Sequence, residues 1–222
     1  MLEAYQQHMR KYVTEALGTF FLVFTIGCCT MFGASTGIAA AVILAAFVYA
    51  GAPLSGGHYN PAVTLGVWMR GQLSTLSVVP YMLAQSIGAV IAAVLVRFLI
   101  AQNEIILELL QRKLEFPSPF LSHHMLLVEF LFTFALVFVV LQVATSPASR
   151  GNSYFGVAIG FTLLAGILAV GAVSGAALNP AVALSLPIMG LTAWSNLWVY
   201  FVANFAGGAA AAWMYDYLNP QA

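Results

Sequence analysis

Long apolar runs separated by short polar segments make up nearly the whole chain. A helix needs about 20 apolar residues to cross the ~30 Å hydrocarbon core of a bilayer. Six runs have that length, at about residues 12–34, 36–54, 76–100, 125–145, 154–173 and 193–217. Two further apolar stretches, at about 60–70 and 179–189, would form helices of roughly 16 Å, half of that thickness. The pattern predicts an all-α membrane protein with six transmembrane helices and two half-length helices.

The composition agrees with a multi-pass integral membrane protein. Apolar residues make up 62% of the 222 residues and charged residues 6%, whereas a soluble domain carries about 25% charged residues. The net charge of zero gives no support for a nucleic-acid partner. No nucleophile–base set or metal-ligand cluster is apparent, so we predict neither an enzyme nor a bound metal or cofactor. The first run exceeds the length of a signal-peptide core and is interpreted as a retained span.

The two halves of the chain repeat each other. The segment that begins at Glu15 resembles the one that begins at Glu129, 114 residues later, and Tyr81 recurs as Tyr200, 119 residues later. Each half holds three full spans, an odd number, so the second half must enter the bilayer upside down. The predicted organisation is one transmembrane domain over residues 1–222, with inverted repeats at about 12–100 and 125–217 joined by an outer connection at 101–124.

One short motif occurs once in each half, directly before a half-length helix. A glycine-bearing loop is followed by Asn, whose side-chain oxygen suits a helix N-cap, and by Pro, which suits the first helical position. The two copies are Asn60-Pro61-Ala62 and Asn179-Pro180-Ala181. Inverted repeats bring such broken helices together at the midplane with their N-termini facing each other. Irregular backbone at that depth is tolerated where it lines a cavity, so we predict a pore or binding site there.

The chemistry of this midplane site favours an uncharged molecule. Each helix N-terminus carries about half a positive charge, which repels cations and protons. With the Asn oxygen used for the cap, the Asn amide N–H₂ is expected to be free to donate to a passing lone pair. The loops before the motifs are expected to supply a ladder of backbone carbonyls from Gly56, Gly57, His58, Gly175, Ala176 and Ala177.

On these motifs and the inverted halves, the chain resembles the major intrinsic protein family, the aquaporins and glycerol facilitators, over all six spans. The resemblance implies a right-handed six-span bundle with one pore per subunit and usually four subunits, hence a homotetramer. It also implies that Glu15 and Glu129 accept hydrogen bonds from backbone N–H groups of the pore loops. An intramembrane acid does need a partner. The alternative is that the two carboxylates form a proton relay.

The chain departs from the family beside the second motif. The family usually has Arg there, and this chain has Val182. Counting back from the two motifs gives the other implied positions of the outer filter, so that the predicted filter is Ala40, Ile167, Ala176 and Val182. Loss of Arg removes a fixed cation, its donors and its bulk. We expect a wider, less polar constriction, or alternatively an apolar ring that dewets and acts as a barrier.

The outer connection and the basic residues add two expectations. Asn103 is expected to cap an amphipathic helix that ends at Pro117 and acts as a lid or binds a partner. The apolar side of that helix would consist of Ile105, Ile106, Leu109, Leu110 and Leu114. Arg10, Lys11, Arg70 and Arg150 fall on the side of the N-terminus, and Arg112 and Lys113 on the other. This bias predicts cytoplasmic N- and C-termini.

Three smaller observations complete the sequence interpretation. His58 either hydrogen-bonds nearby structure or gates the pore by protonation. Small residues four apart, Gly88/Ala92 and Gly207/Ala211, are expected to let spans cross closely. Asn204 occupies the position at which Gln85 repeats, and the sequence predicts no role for it.

The sequence therefore predicts a passive channel for water and other small uncharged solutes, with glycerol, urea, peroxide and ammonia as candidates. Two other classes stay open. A coupled secondary transporter also fits inverted repeats with broken helices, but needs titratable groups along the path. The second open class is a weakly permeable junctional or structural membrane protein.

Overall fold

The structure, a computed structural model, describes residues 2–115 and 122–220, and the regular structure in those ranges is helical. The helices are α1 (Leu2–Phe32), α2 (Thr36–Ser55), α3 (Pro61–Met69), α4 (Thr75–Ile100), α5 (Glu104–Glu115), α6 (Ser122–Val140), α7 (Phe155–Ser174), α8 (Pro180–Met189) and α9 (Leu197–Leu218). Six are long and apolar enough to cross a membrane, when α6 is extended to Thr145 and α9 back to Trp194. Helices α3 and α8, of 9 and 10 residues, are half-length. The predicted all-α class with six spans and two half-helices is confirmed.

The helix boundaries differ most from the predicted ones at the start of α1. The helix begins at Leu2, ten residues before the apolar run, because no Gly or Pro precedes Gly18 to interrupt it. At the C-terminal end of α6, a single wider π-helical turn, Leu141–Thr145, follows the α-helix before Pro147. The other predicted ends lie within a few residues of the observed ones.

The two repeats are interlocked through their half-helices. Within each repeat the first long helix packs against the second and the third, so α1 contacts α2 and α4, and α6 contacts α7 and α9. Each half-helix packs most extensively against the last span of the other repeat: α3 against α9 and α8 against α4. Because each half-helix packs against a span of the opposite repeat, both motifs lie in the centre of the bundle.

Glycines make the closest helix crossings possible. A Cβ added to Gly88 of α4 would lie 2.2 Å from the carbonyl oxygen of Ala16 in α1. A Cβ added to Gly207 of α9 would lie 2.6 Å from the carbonyl oxygen of Phe130 in α6. Both distances are far below van der Waals contact, so the predicted close crossings at these positions are confirmed.

The outer helix α5 is capped as predicted, but its apolar side is partly different. The side-chain oxygen of Asn103 accepts a hydrogen bond from the N–H of Ile106 at 3.1 Å. Ile106 and Leu107 pack against the core, whereas the predicted Ile105 and Leu109 are 73% and 60% exposed. The predicted apolar side of α5 was therefore wrong at Ile105 and Leu109, because the helix faces the bundle with Ile106 and Leu107 instead. The side chains of Leu110 and Leu114, and Pro117, lie outside the described residues.

Candidate functional site

The two half-helices begin in the same way at the centre of the bundle. Asn60 caps α3 by accepting a hydrogen bond from the N–H of Ala62 at 2.8 Å. Asn179 caps α8 by accepting from the N–H of Ala181 at 2.9 Å. Pro61 and Pro180 occupy the first helical position, where a missing N–H costs nothing.

The two caps also bind each other's loops. The Asn60 amide donates to the carbonyl oxygen of Leu178 at 2.9 Å, and the Asn179 amide donates to that of Tyr59 at 2.8 Å. The expectation that both N–H₂ groups are wholly free was therefore wrong, because the tips of the loops touch. An amide carries two N–H bonds, so each Asn retains one for a ligand.

The loops before the motifs adopt the same unusual backbone. Left-handed φ angles occur at equivalent positions, at Gly56, Gly57 and Tyr59 in the first loop and at Gly175, Ala176 and Leu178 in the second. Tyr59, Ala176 and Leu178 are not glycine, and this conformation costs such residues free energy. Within the described residues, no group donates a hydrogen bond to the carbonyls of 56–58 or 175–177. These six carbonyls are therefore available as acceptors.

A fully buried carboxylate holds the first loop in this conformation. One oxygen of Glu15 accepts from the Ser55 hydroxyl at 2.6 Å and from the N–H of His58 at 3.0 Å. The other accepts from the N–H of Tyr59 and from the Gln85 amide, both at 2.7 Å.

The second loop is held by Glu129 in the same manner. One oxygen accepts from the Ser174 hydroxyl at 2.6 Å and from the N–H of Ala177 at 2.9 Å. The other accepts from the N–H of Leu178 at 2.8 Å and from the Asn204 amide at 3.2 Å. Four donors occupy the four acceptor positions of an ionised carboxylate. This arrangement favours loop support over a proton relay, which needs an acceptor position to remain open.

The sequence analysis assigned no role to several members of this polar network. Ser55 and Ser174 donate to the glutamates, and Tyr81 and Tyr200 donate to the carbonyls of those serines at 2.8 and 2.5 Å. The signal that could have found them is the 119-residue offset, which relates each pair.

A central cavity, with about 30 Å³ of space for the centres of water-sized molecules, contains the side chains of Asn60 and Asn179. Its polar side is formed by Gly57, His58, Tyr59, Asn60, Ala176, Ala177 and Asn179. Its apolar side is formed by Leu22, Ile26, Leu44, Val48, Val63, Leu136, Val140, Ile159, Leu163 and Val182. Asp, Glu, Lys and Arg are missing from this lining, so the described wall carries no formally charged side chain. A polar track therefore runs along an otherwise aliphatic wall.

The four residues of the predicted outer filter do not all line this cavity. Ala176 and Val182 do. Ala40 is fully buried in the core, and Ile167 lies against α2, 3.2 Å from where a Cβ of Gly37 would be. Both belong to the helix faces that line the cavity, one turn beyond Leu44 in α2 and beyond Leu163 in α7. The four-residue filter stays a prediction.

His58 lies at the edge of the polar track. It is 9% exposed, and its Nδ1 is 3.1 Å from the hydroxyl oxygen of Thr64. Its ring centroid is 5.2 Å from that of Tyr81. These contacts agree with the interpretation that the ring hydrogen-bonds nearby structure, and the gating alternative stays untested.

Comparison with known proteins agrees with this geometry. The chain matches the family model described as Major intrinsic protein over residues 3–215. It is 37% identical over 224 aligned positions to Aquaporin NIP1-4 of Oryza sativa subsp. japonica, covering 95% of this chain and 77% of that protein. It is 34% identical to Nodulin-26 of Glycine max, covering 94% and 77%. The X-ray structure of the aquaglyceroporin from Plasmodium falciparum has the same fold, with a TM-score of 0.77, 22% identity and coverage of 94% and 96%. The chain belongs to the major intrinsic protein family.

Proposed function

We propose that this chain is a passive channel through which water and small uncharged solutes cross the bilayer between Asn60 and Asn179. As a major intrinsic protein with six apolar spans, it is an integral multi-pass membrane protein. Its relatives are aquaporins, which are channels and not enzymes.

The observation that carries the proposal is the crossed pair of Asn amides. Each amide is fixed by its own cap and by the opposite loop, and keeps one N–H for a ligand. The carbonyl ladders supply acceptors on either side of these donors. Two helix N-termini at the same point disfavour a cation. A neutral molecule with both donors and acceptors, such as water, matches this track.

The solute range is proposed from the aliphatic wall. Val182 stands where the family usually has Arg, and the equivalent residue of the first repeat is also valine, Val63. Without a guanidinium, this part of the path offers more room and fewer donors. We propose that solutes larger than water, such as urea and glycerol, also pass.

Stopped-flow light scattering of proteoliposomes tests this function. We expect faster water equilibration than in empty liposomes, together with urea or glycerol uptake that increases linearly with the concentration difference. An Asn60→Asp variant is the matched control, because it keeps the cap acceptor and removes the amide donor.

Each alternative class gives a different result in the same assay. Strong water flux with no uptake of glycerol, urea or peroxide would contradict the wide filter. Small water flux would indicate a dewetted ring or a junctional role. Saturable uptake that follows an ion gradient would indicate a coupled transporter.

We further propose that four copies assemble and that both termini face the cytoplasm. Apolar side chains such as Leu76, Val79, Leu83 and Ile87 of α4 are 56–89% exposed, so they face lipid or another copy. Native mass spectrometry should give four times the 23.7 kDa chain mass.

The position of the termini is tested by thiol labelling. In a variant without Cys28 and Cys29, a cysteine at exposed Gln7 should resist an impermeant thiol reagent added outside intact cells. Labelling there, or a monomer mass, would contradict the respective proposal.

A further inference from the structure

Two fully buried amides occupy equivalent positions in the two repeats, Gln85 in α4 and Asn204 in α9. In the first repeat, the Gln85 amide donates to Glu15 at 2.7 Å and to the hydroxyl of Thr64 at 2.9 Å. Thr64 belongs to half-helix α3, and its hydroxyl is also 3.1 Å from Nδ1 of His58. The first pore loop is thus fixed both through Glu15 and through its own half-helix.

The second repeat lacks this additional connection. The position equivalent to Thr64 is Ala183, which has no hydroxyl. The Asn204 amide donates instead to Glu129 and to Thr133 of α6, both at 3.2 Å. Among the residues that the structure describes, the side-chain hydrogen bonds of the amide therefore reach the second loop solely through Glu129.

A short chain of hydrogen bonds leads from Asn204 to the pore. Asn204 donates to the same carboxylate oxygen of Glu129 that accepts from the N–H of Leu178. Leu178 is held at a φ of 50°, and its carbonyl accepts from the Asn60 amide in the cavity. The other oxygen of Glu129 accepts from the N–H of Ala177, which lines the cavity. A shift of this carboxylate would therefore move two pore-loop residues.

We propose that Asn204 is a positioning residue that sets the second pore loop through Glu129, and thereby the relative permeability of urea and water. The inference rests on the proposed channel function. Asn204 does not touch the permeant. It supplies the fourth donor to Glu129, which fixes the carboxylate plane and with it the carbonyls of the second loop. Asn is one methylene shorter than the Gln of the first repeat, which agrees with the longer distance to its carboxylate.

The test compares urea and water permeability of proteoliposomes containing the full-length protein and single variants. Asn204→Leu removes the donor while keeping a similar shape, and should change the urea-to-water ratio by about threefold or more. Asn204→Gln keeps an amide donor at this position, so its urea-to-water ratio should be closer to that of the wild type than the ratio of Asn204→Leu is. Thr133→Val is the matched control, because it removes the other partner of the amide and leaves all four donors of Glu129 in place.

The pH dependence of the urea-to-water permeability ratio distinguishes a positioning role from a merely structural one, which would leave it unchanged. Asn204→Asp places a second carboxyl group against Glu129, and two carboxyl groups in contact do not both ionise as readily as one alone. Among the described residues, Tyr200 is a further titratable side chain in this cluster, and it donates to the Ser174 carbonyl. The urea-to-water ratio of Asn204→Asp should therefore vary between about pH 5 and 8 more than that of the wild type.

The outcomes separate this inference from the proposed function. An unchanged ratio in Asn204→Leu, an equal change in Thr133→Val, or a flat pH profile in Asn204→Asp would overturn the inference alone. Asn204→Gln and Asn204→Asp keep a polar group, so they decide the question if Asn204→Leu does not fold. Absence of flux through the wild-type protein would overturn the proposed function and the inference together.

Discussion

Replacing Glu129 by glutamine is expected to abolish water and solute flux and to lower the free energy of unfolding by about 3–5 kcal/mol. The two oxygens of Glu129 accept four hydrogen bonds. Glutamine has one oxygen, so its N–H₂ would face two of those donors. Each buried donor left without an acceptor costs about 1–3 kcal/mol. Flux by stopped flow and thermal unfolding in detergent would measure both effects.

Glu104→Gln is the control for this prediction, because Glu104 is an exposed acid in α5 and its replacement should change neither quantity. Glu15→Gln should resemble Glu129→Gln, since its carboxylate also accepts four hydrogen bonds. A folded Glu129→Gln protein that conducts water normally, but loses the response to a proton gradient, would contradict loop support and favour the proton relay.

The helices could be predicted from the sequence because the bilayer imposes a length on each apolar run. Most of their ends lie within a few residues of the expected ones, since polar residues mark where the hydrocarbon stops. The first helix starts earlier at Leu2 because the chain outside the bilayer is free to remain helical. The side of α5 that packs could not be predicted, because six apolar residues in twelve leave more than one candidate face.

The repeat also predicted much of the site, because equivalent residues of the two halves make the same contacts, whether the offset is 114 or 119 residues. The glutamates, the caps and the loop positions all follow this rule. The donation of Asn60 to the carbonyl of Leu178 and its repeat equivalent, from Asn179 to the carbonyl of Tyr59, also follow it. These two bonds could not be predicted, because they depend on contact between loops about 120 residues apart along the chain. The hydrogen bond from Asn204 to Glu129 was missed for a similar reason, because the two residues are 75 positions apart.

The outer filter shows the limit of counting along the chain. Counting back from the two motifs identified Ala40 and Ile167, and both lie on helix faces that line the cavity. Such counting does not identify where along those faces the cavity ends. The described cavity extends along α2 to Val48 and along α7 to Ile159, which are the repeat equivalents of Ile167 and Ala40. The cavity is thus deeper towards the side of the N-terminus.

Replacing Val182 by arginine is expected to reduce urea and glycerol flux at least about tenfold, equivalent to about 1.4 kcal/mol in the barrier. Water flux should fall less. Val182 lines the cavity in the first turn of α8, so the longer side chain would occupy part of its volume. The guanidinium would add a fixed positive charge and several donors, which the unpaired carbonyls of Ala176 and Ala177 could accept. Stopped-flow uptake of urea and glycerol measures the change.

Two controls separate the causes of that reduction. Val182→Met adds length without charge, so it should reduce glycerol flux but leave any leak of small cations unchanged. Val63→Arg places the same guanidinium at the equivalent position of the first repeat, on the other side of the paired Asn side chains. If the solute path narrows at Val182, Val182→Arg should discriminate more strongly against glycerol than Val63→Arg does. Unchanged glycerol flux in Val182→Arg would mean that the solute path does not pass this residue, because an arginine inside a cavity of this size must obstruct it.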